Sequence, residues 1–180
     1  VALVMDCGQP GTAGHLHHAG TLSFELSVGK HRMIVNCGAR TGDLDPWRTA
    51  LAATAAHSTL TVNDTSSAAF APDGRLRRGP DKVSCERQDT DAGTLIEASH
   101  DGYMNPFGLT HHRAVYISPT GDQLRGEDRL TGTGGEYFTL RFHLHPGVTA
   151  SLLGGGTDVL LRFGGKNKET WRLRTSNGEM

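Results

Sequence analysis

The chain is poor in several things at once. It has three cysteines, Cys7, Cys37 and Cys85, in 180 residues. That is too few and too scattered for a disulfide framework, and the odd number leaves at least one thiol free. Aromatic residues make up only 6%, which argues against a sugar platform built on exposed rings; Trp47 and Trp171 are expected in the core. Charge of one sign is also missing. Eighteen Lys and Arg face nineteen Asp and Glu, for a formal net charge of -1. No basic surplus points to nucleic acid and no acidic tail to a basic partner. No apolar run approaches the roughly 20 residues that span a bilayer, so no membrane partner is expected. With 36% hydrophobic residues, the chain still has enough apolar material for one core. It begins Val-Ala-Leu-Val-Met-Asp, with neither an initiator methionine nor a signal-peptide pattern, which predicts a piece cut from a longer protein.

What is abundant is glycine, 24 residues, and histidine, 10 residues in clusters. Period-two alternation dominates. In Thr21 to Val28, Leu22, Phe24, Leu26 and Val28 alternate with polar residues. Further strands are expected at 32–36, 59–63, 82–87, 94–100, 112–118, 123–130, 137–145, 148–152, 158–163 and 170–174. In the 137–145 segment, Phe138, Leu140, Phe142 and Leu144 are expected on one face and Arg141, His143 and His145 on the other. One segment reads as helix: Asp45 as cap, Pro46 at the first position, then Trp47 to Ala56. The expectation is an all-β fold, a large two-layer antiparallel β-sandwich with one short helix, forming a single domain over residues 1–180.

The chemistry-bearing residues are the histidines. Gly14-His15-Leu16-His17-His18-Ala19-Gly20 forms a glycine-flanked loop before the first long strand, and His57 lies at a helix-to-strand junction. Histidine suits proton transfer near neutral pH and metal binding, and loops at the end of a rigid sheet are common places to hold it. The alternative reading is exposed loop histidines bonded to backbone. His111, His112, His143 and His145 are read as solvent-face residues of strands.

The run Gly14 to Leu26 resembles the glycine-histidine loop and following strand of the heparinase II/III-like polysaccharide lyases. Arg32-Met33-Ile34-Val35-Asn36-Cys37-Gly38 is similar to that family's next strand. Trp47-Arg48 through Ala56-His57-Ser58-Thr59-Leu60 is similar to its Trp-Arg…Ala-His-Asn-Thr-Leu segment. His100-Asp101-Gly102-Tyr103, His112-Arg113 and Glu127-Asp128-Arg129-Leu130 extend the likeness downstream. The resemblance implies the C-terminal β-sandwich of a longer protein whose N-terminal (α/α) toroid is absent here. It implies cleavage of an anionic, uronic-acid-containing polysaccharide by β-elimination, with no activity in the isolated domain, and export to the periplasm or beyond. The alternative is a non-catalytic carbohydrate-binding or structural sandwich.

In that family the sandwich supplies a cleft histidine and, in some members, a zinc site of two histidines and an aspartate. Without a gap, His18 takes the zinc-type position and Leu16 falls at the cleft position; with a one-residue shift, His17 and His15 take these two roles. His15 and His17 are therefore the catalytic candidates, and His18, Asn36 and His57 the metal candidates. Asn36 stands where the family has its aspartate, Ser58 where it has an asparagine, and Gly20 where an aspartate commonly follows the loop histidine. Two histidines and a carboxamide hold zinc more weakly than a set with a carboxylate. The other expectation is that His18, Asn36 and His57 hydrogen-bond to one another and brace the loop without metal.

Overall fold

The computed structural model describes residues 1–10, 17–40, 47–71, 73–164 and 169–176. The fold is all-β and every strand pairing is antiparallel. The strands are β1 (Ala2–Met5), β2 (Phe24–Val28), β3 (His31–Val35), β4 (Leu60–Val62), β5 (Ala69–Phe70), β6 (Leu76–Arg78), β7 (Val83–Thr90), β8 (Gly93–Tyr103), β9 (Leu109–Ile117), β10 (Leu124–Gly132), β11 (Phe138–Leu140), β12 (His143–Leu144), β13 (Thr149–Leu152), β14 (Asp158–Phe163) and β15 (Glu169–Arg174). They form a β1-β2-β3-β12 sheet, a β10-β9-β8-β7 sheet, a β13-β14-β15 sheet and the pairs β11-β4 and β5-β6. No described helix is long and apolar enough to cross a membrane.

Alternation builds the first core as expected. Phe24 and Leu26 on β2 and Met33 and Ile34 on β3 are buried together with Leu161 and Phe163 of β14. The β2–β3 hairpin turns at Gly29, whose φ of 55° suits a residue without a side chain. Trp171 packs half-buried against this cluster, but Trp47 is 64% exposed, contrary to expectation. It begins α1 (Trp47–Ala52), none of whose residues is buried. A second cluster joins Leu60 and Val62 of β4 to Tyr103 and Leu109.

The expected helix to Ala56 stops early. Ala53 is extended, with φ -69° and ψ 151°, and a 3-10 turn follows at Thr54–Ala56. Tertiary bonds account for the break: the buried Thr54 hydroxyl donates to the Ala19 carbonyl at 2.7 Å, and the Thr54 N–H donates to Ser66 Oγ at 3.1 Å. The cap candidates Asp45 and Pro46 lie outside the described residues. A second helix, α2 (Met104–Phe107), closes at Gly108 in the left-handed region.

The segment 137–145 is not one strand. β11 pairs with β4, and β12 pairs with β3 in another sheet. Leu140 therefore packs on the second core and Phe142 and Leu144 on the first, while Phe138 is 57% exposed. The single apolar face expected from alternation is divided because the chain changes sheets at residues 141–142.

Candidate functional site

The loop preceding β2 turns sharply into the strand. Leu22, fully buried, has a φ of 64°, a conformation that costs a leucine on the order of 1–2 kcal/mol. Its surroundings hold it there. Its N–H donates to the Asp6 carbonyl at 2.7 Å, and its own carbonyl accepts Arg113 Nη1 at 2.6 Å. Ala19 N–H donates to the Ala52 carbonyl at 2.8 Å, fastening the loop to the end of α1.

Behind the loop lie two of the sequence-derived candidates. His57 Nδ1 is 2.9 Å from the Ala53 carbonyl, so Nδ1 carries the proton and Nε2 accepts. His18 Nδ1 donates to that Nε2 at 3.1 Å, and the rings meet edge-on, 5.2 Å between centroids. Burial holds both imidazoles below the ordinary histidine value; His17 adds to the effect on His18, and the Ala53 carbonyl partly opposes it on His57. The departure at Gly20 has a steric cause. A Cβ there would lie 2.7 Å from His57 Cδ2, so only glycine lets the ring approach the loop.

Asn36 is not brought onto the imidazoles. Its Oδ1 accepts the N–H of Ser58 at 2.8 Å, while its own N–H donates to Glu25 Oε1 at 3.1 Å. Ser58 Oγ donates to the Val35 carbonyl and accepts the His143 N–H. His143 Nε2 donates to the Ala55 carbonyl at 2.9 Å. The junction around His57 is thus clamped by backbone-directed bonds. His17 is half-buried beside His18, and His15 lies outside the described residues.

A structural zinc takes four donors. Here the two imidazole nitrogens face each other as donor and acceptor, and the Asn36 oxygen is taken by a backbone N–H. No group of three His, Cys, Asp or Glu side chains converges among the described residues. This donor set fits a neutral hydrogen-bonded brace and does not fit a zinc centre.

A second constellation escaped the sequence reading. His111 is fully buried and His100 is 1% exposed, so His111 is no solvent-face residue. Gly102 N–H donates to His100 Nδ1 at 3.0 Å, leaving His100 Nε2–H to donate to His111 Nδ1 at 3.2 Å. His111 Nε2–H then donates to Asp128 Oδ1 at 2.7 Å. Arg113 Nε and Nη2 clasp both oxygens of Asp128 at 2.8 and 3.1 Å, and its Nη1 reaches the carbonyls of Leu22 and Ser58 at 2.6 and 2.9 Å. One guanidinium therefore ties β9 and β10 to the histidine loop and to the His57 junction.

Burial, aided by His111 and Arg113, drives His100 down to about 3. Burial also outweighs the Asp128 hydrogen bond and lowers His111. On Asp128, burial pushes the carboxyl up, but the His111 and Arg113 contacts prevail and hold it below the usual value. The sequence did carry a signal. Leu109, His111, Arg113 and Val115 share one parity on β9, and Leu109 and Val115 are core residues.

The opposite face of the same sheet is open and polar. A concavity of about 300 Å³ is lined by Ser84, Glu86, Glu97, His112, Glu127 and Arg129, among others. Register places Glu86 opposite Glu97, and Ala114 between Glu97 and Glu127; the small alanine makes the hollow and three carboxylates surround it.

A family model described as Heparinase II/III-like, C-terminal, matches residues 1–180. FtsZ-localized protein C of Caulobacter vibrioides (strain NA1000 / CB15N) is 30% identical over 203 residues, covering 97% of this chain and 33% of its own length. The chain thus spans about a third of that relative. Among solved structures, a heparan sulfate lyase HepC mutant from Pedobacter heparinus matches with a TM-score of 0.76 over 99% of this chain and 26% of its own, at 16% identity. That likeness is one of fold.

Proposed function

The chain belongs to the heparinase II/III-like C-terminal family, and from that premise we propose that it is the sandwich half of a longer lyase acting on a uronic-acid-containing polysaccharide, inactive by itself. The chemistry is β-elimination. A base takes the proton α to the uronate carboxylate, the carbon–oxygen bond β to it breaks as the double bond forms, and an acid protonates the leaving oxygen. The carboxylate must be neutralised by a positive or hydrogen-bonding group. In this reading the sandwich contributes the loop bearing His15 and His17, and an N-terminal (α/α) toroid contributes the rest. The observation that supports it is the fixation of residues 18–22, next to His17: the His18–His57 bond, Gly20 against the ring, and Arg113 on the Leu22 carbonyl. Such locking pre-positions a side chain at a rim. No step is assigned to a metal. The carboxylate-lined hollow on the far face would repel an anionic chain, which favours the histidine loop as the contact.

The test is release of unsaturated uronate products, read by ultraviolet absorbance, from glycosaminoglycans, alginates and glucuronans. The full-length protein should produce them and residues 1–180 alone should not. Folded full-length protein with no product on any polymer rejects the lyase reading. One observation favours a second reading, a non-catalytic carbohydrate-binding or structural module: the 30% identical relative is named for its localisation with FtsZ and not as a lyase. Glycan binding without turnover by full-length protein is the outcome expected of the carbohydrate-binding form.

A further inference from the structure

β7 is the outermost strand of its sheet, paired on one side with β8 and exposed at every residue after Val83. Every second residue of such a strand turns its N–H and C=O away from the sheet. Beyond the β8 ladder, residues 83–90 make no backbone–backbone hydrogen bond among the described residues. Native edges are blunted by lysine, proline, a bulge or a covering segment. β7 contains neither lysine nor proline, and its register with β8 runs without a bulge from Val83 opposite His100 to Thr90 opposite Gly93. The approach to the strand is occupied, because the Gln9 side-chain amide donates to the carbonyl of Asp81. The far half, residues 86–90, stays open. The opposite edge strand, β10, carries Gly126 and Gly132, and glycine weakens a strand as a pairing template.

We propose that the open half of β7 docks a second copy of this chain: two β7 strands pair antiparallel about a two-fold axis at Gln88, each Arg87 opposite Asp89 of the other copy. The charges on the strand select this register. Arg87 Nε and Nη2 donate to Asp89 Oδ1 at 3.2 and 3.0 Å, and the two side chains are 65% and 59% exposed. They share one side of the strand, while Glu86 and Gln88 take the other. A two-fold axis normal to the sheet sets one residue opposite itself. Centred on Glu86, Arg87 or Asp89, it would place like charges face to face, which is destabilising. Centred on Gln88, it places carboxamide against carboxamide, and each can donate and accept. Glu86 then falls opposite Thr90, and Arg87 and Asp89 make two ion pairs across the axis. A register centred earlier in β7 meets the end of the edge that Gln9 occupies. The contact is isologous, so it closes at two copies and does not propagate.

The proposal is independent of the lyase reading. Full-length protein is followed by analytical ultracentrifugation over a concentration series, and the expected behaviour is a reversible monomer–dimer equilibrium. Arg87→Asp and Asp89→Arg, made separately, should each weaken the dimer about tenfold or more, because two attractive pairs across the axis become two repulsive ones. Mixed in equal amounts, the two variants should pair with each other at wild-type strength, since every cross-axis pair then joins an acid to an arginine. A folding defect in either variant does not produce that recovery. Wild-type protein that stays monomeric up to about 100 μM overturns the proposal. So does a dimer that neither reversal weakens, or a pair of weakened variants that fail to recover on mixing.

Discussion

Asp128→Asn probes the centre of the molecule with almost no change of shape. The carboxylate is 9% exposed and the Arg113 side chain 1%. It accepts three short bonds, from His111 Nε2, Arg113 Nε and Arg113 Nη2. An amide at this place keeps one acceptor oxygen and turns a nitrogen donor toward donors. The guanidinium also loses its counter-charge while remaining bonded to the Leu22 and Ser58 carbonyls. Leaving one member of a buried pair uncompensated costs about 3–5 kcal/mol. For a domain of this size each kcal/mol moves the thermal midpoint by about 2–4 °C, so the expected fall is about 6–20 °C, read by circular dichroism. Asp89→Asn, which breaks the exposed Arg87–Asp89 pair, should leave the midpoint unchanged. Adding Arg113→Met to Asp128→Asn removes the stranded charge and should recover part of the loss. If Asp128→Asn melts within about 2 °C of wild type, the guanidinium is not the buried tie described above.

The remaining expectations concern the brace, acid and metal. His57→Ala should destabilise by roughly 1–3 kcal/mol, the cost of stranding a buried partner. Gly20→Ala should destabilise through its 2.7 Å approach to the ring, and a double-mutant cycle should show His57→Ala relieving much of that clash; strict additivity argues against the contact. Stability should fall with acid. His100 and His111 have folded values below the unfolded one of about 6.5, so the unfolded chain binds protons that the folded chain refuses. Their contribution is complete above that pH and is lost as pH falls, His100 alone at about 1 kcal/mol per pH unit down to about 3. Asp128, also depressed, contributes fully above its unfolded value of about 4 and loses that contribution as pH falls through its lower folded value. Urea midpoints that stay flat from pH 7 to 4 contradict neutral buried imidazoles. Zinc should leave the wild-type midpoint unmoved, and Asn36→Asp should not raise zinc affinity in chelator competition, because the oxygen at position 36 is directed to the Ser58 N–H; a clear rise would show that position 36 does face the imidazoles.

By itself the sequence determined the class and most of the strands. Alternation along residues 22–28 and 158–163, and the turns between hairpins, are local properties, and the ordered motifs around Gly14, Trp47 and His57 identified the family. Through the family resemblance it also offered His18 and His57 as members of one site, and the structure brings their rings within 3.1 Å. Only the tertiary structure decided which histidines face inward. Period two defines two faces of a strand but does not say which is covered when both carry polar groups. On β9 the covered face holds His111 and Arg113, because Asp128, Leu22 and Ser58 converge there from three separate stretches of chain. The same logic divided residues 137–145 between two sheets and ended the helix at Ala52. In each case a bond or a packing surface supplied by a distant segment overrode the local pattern.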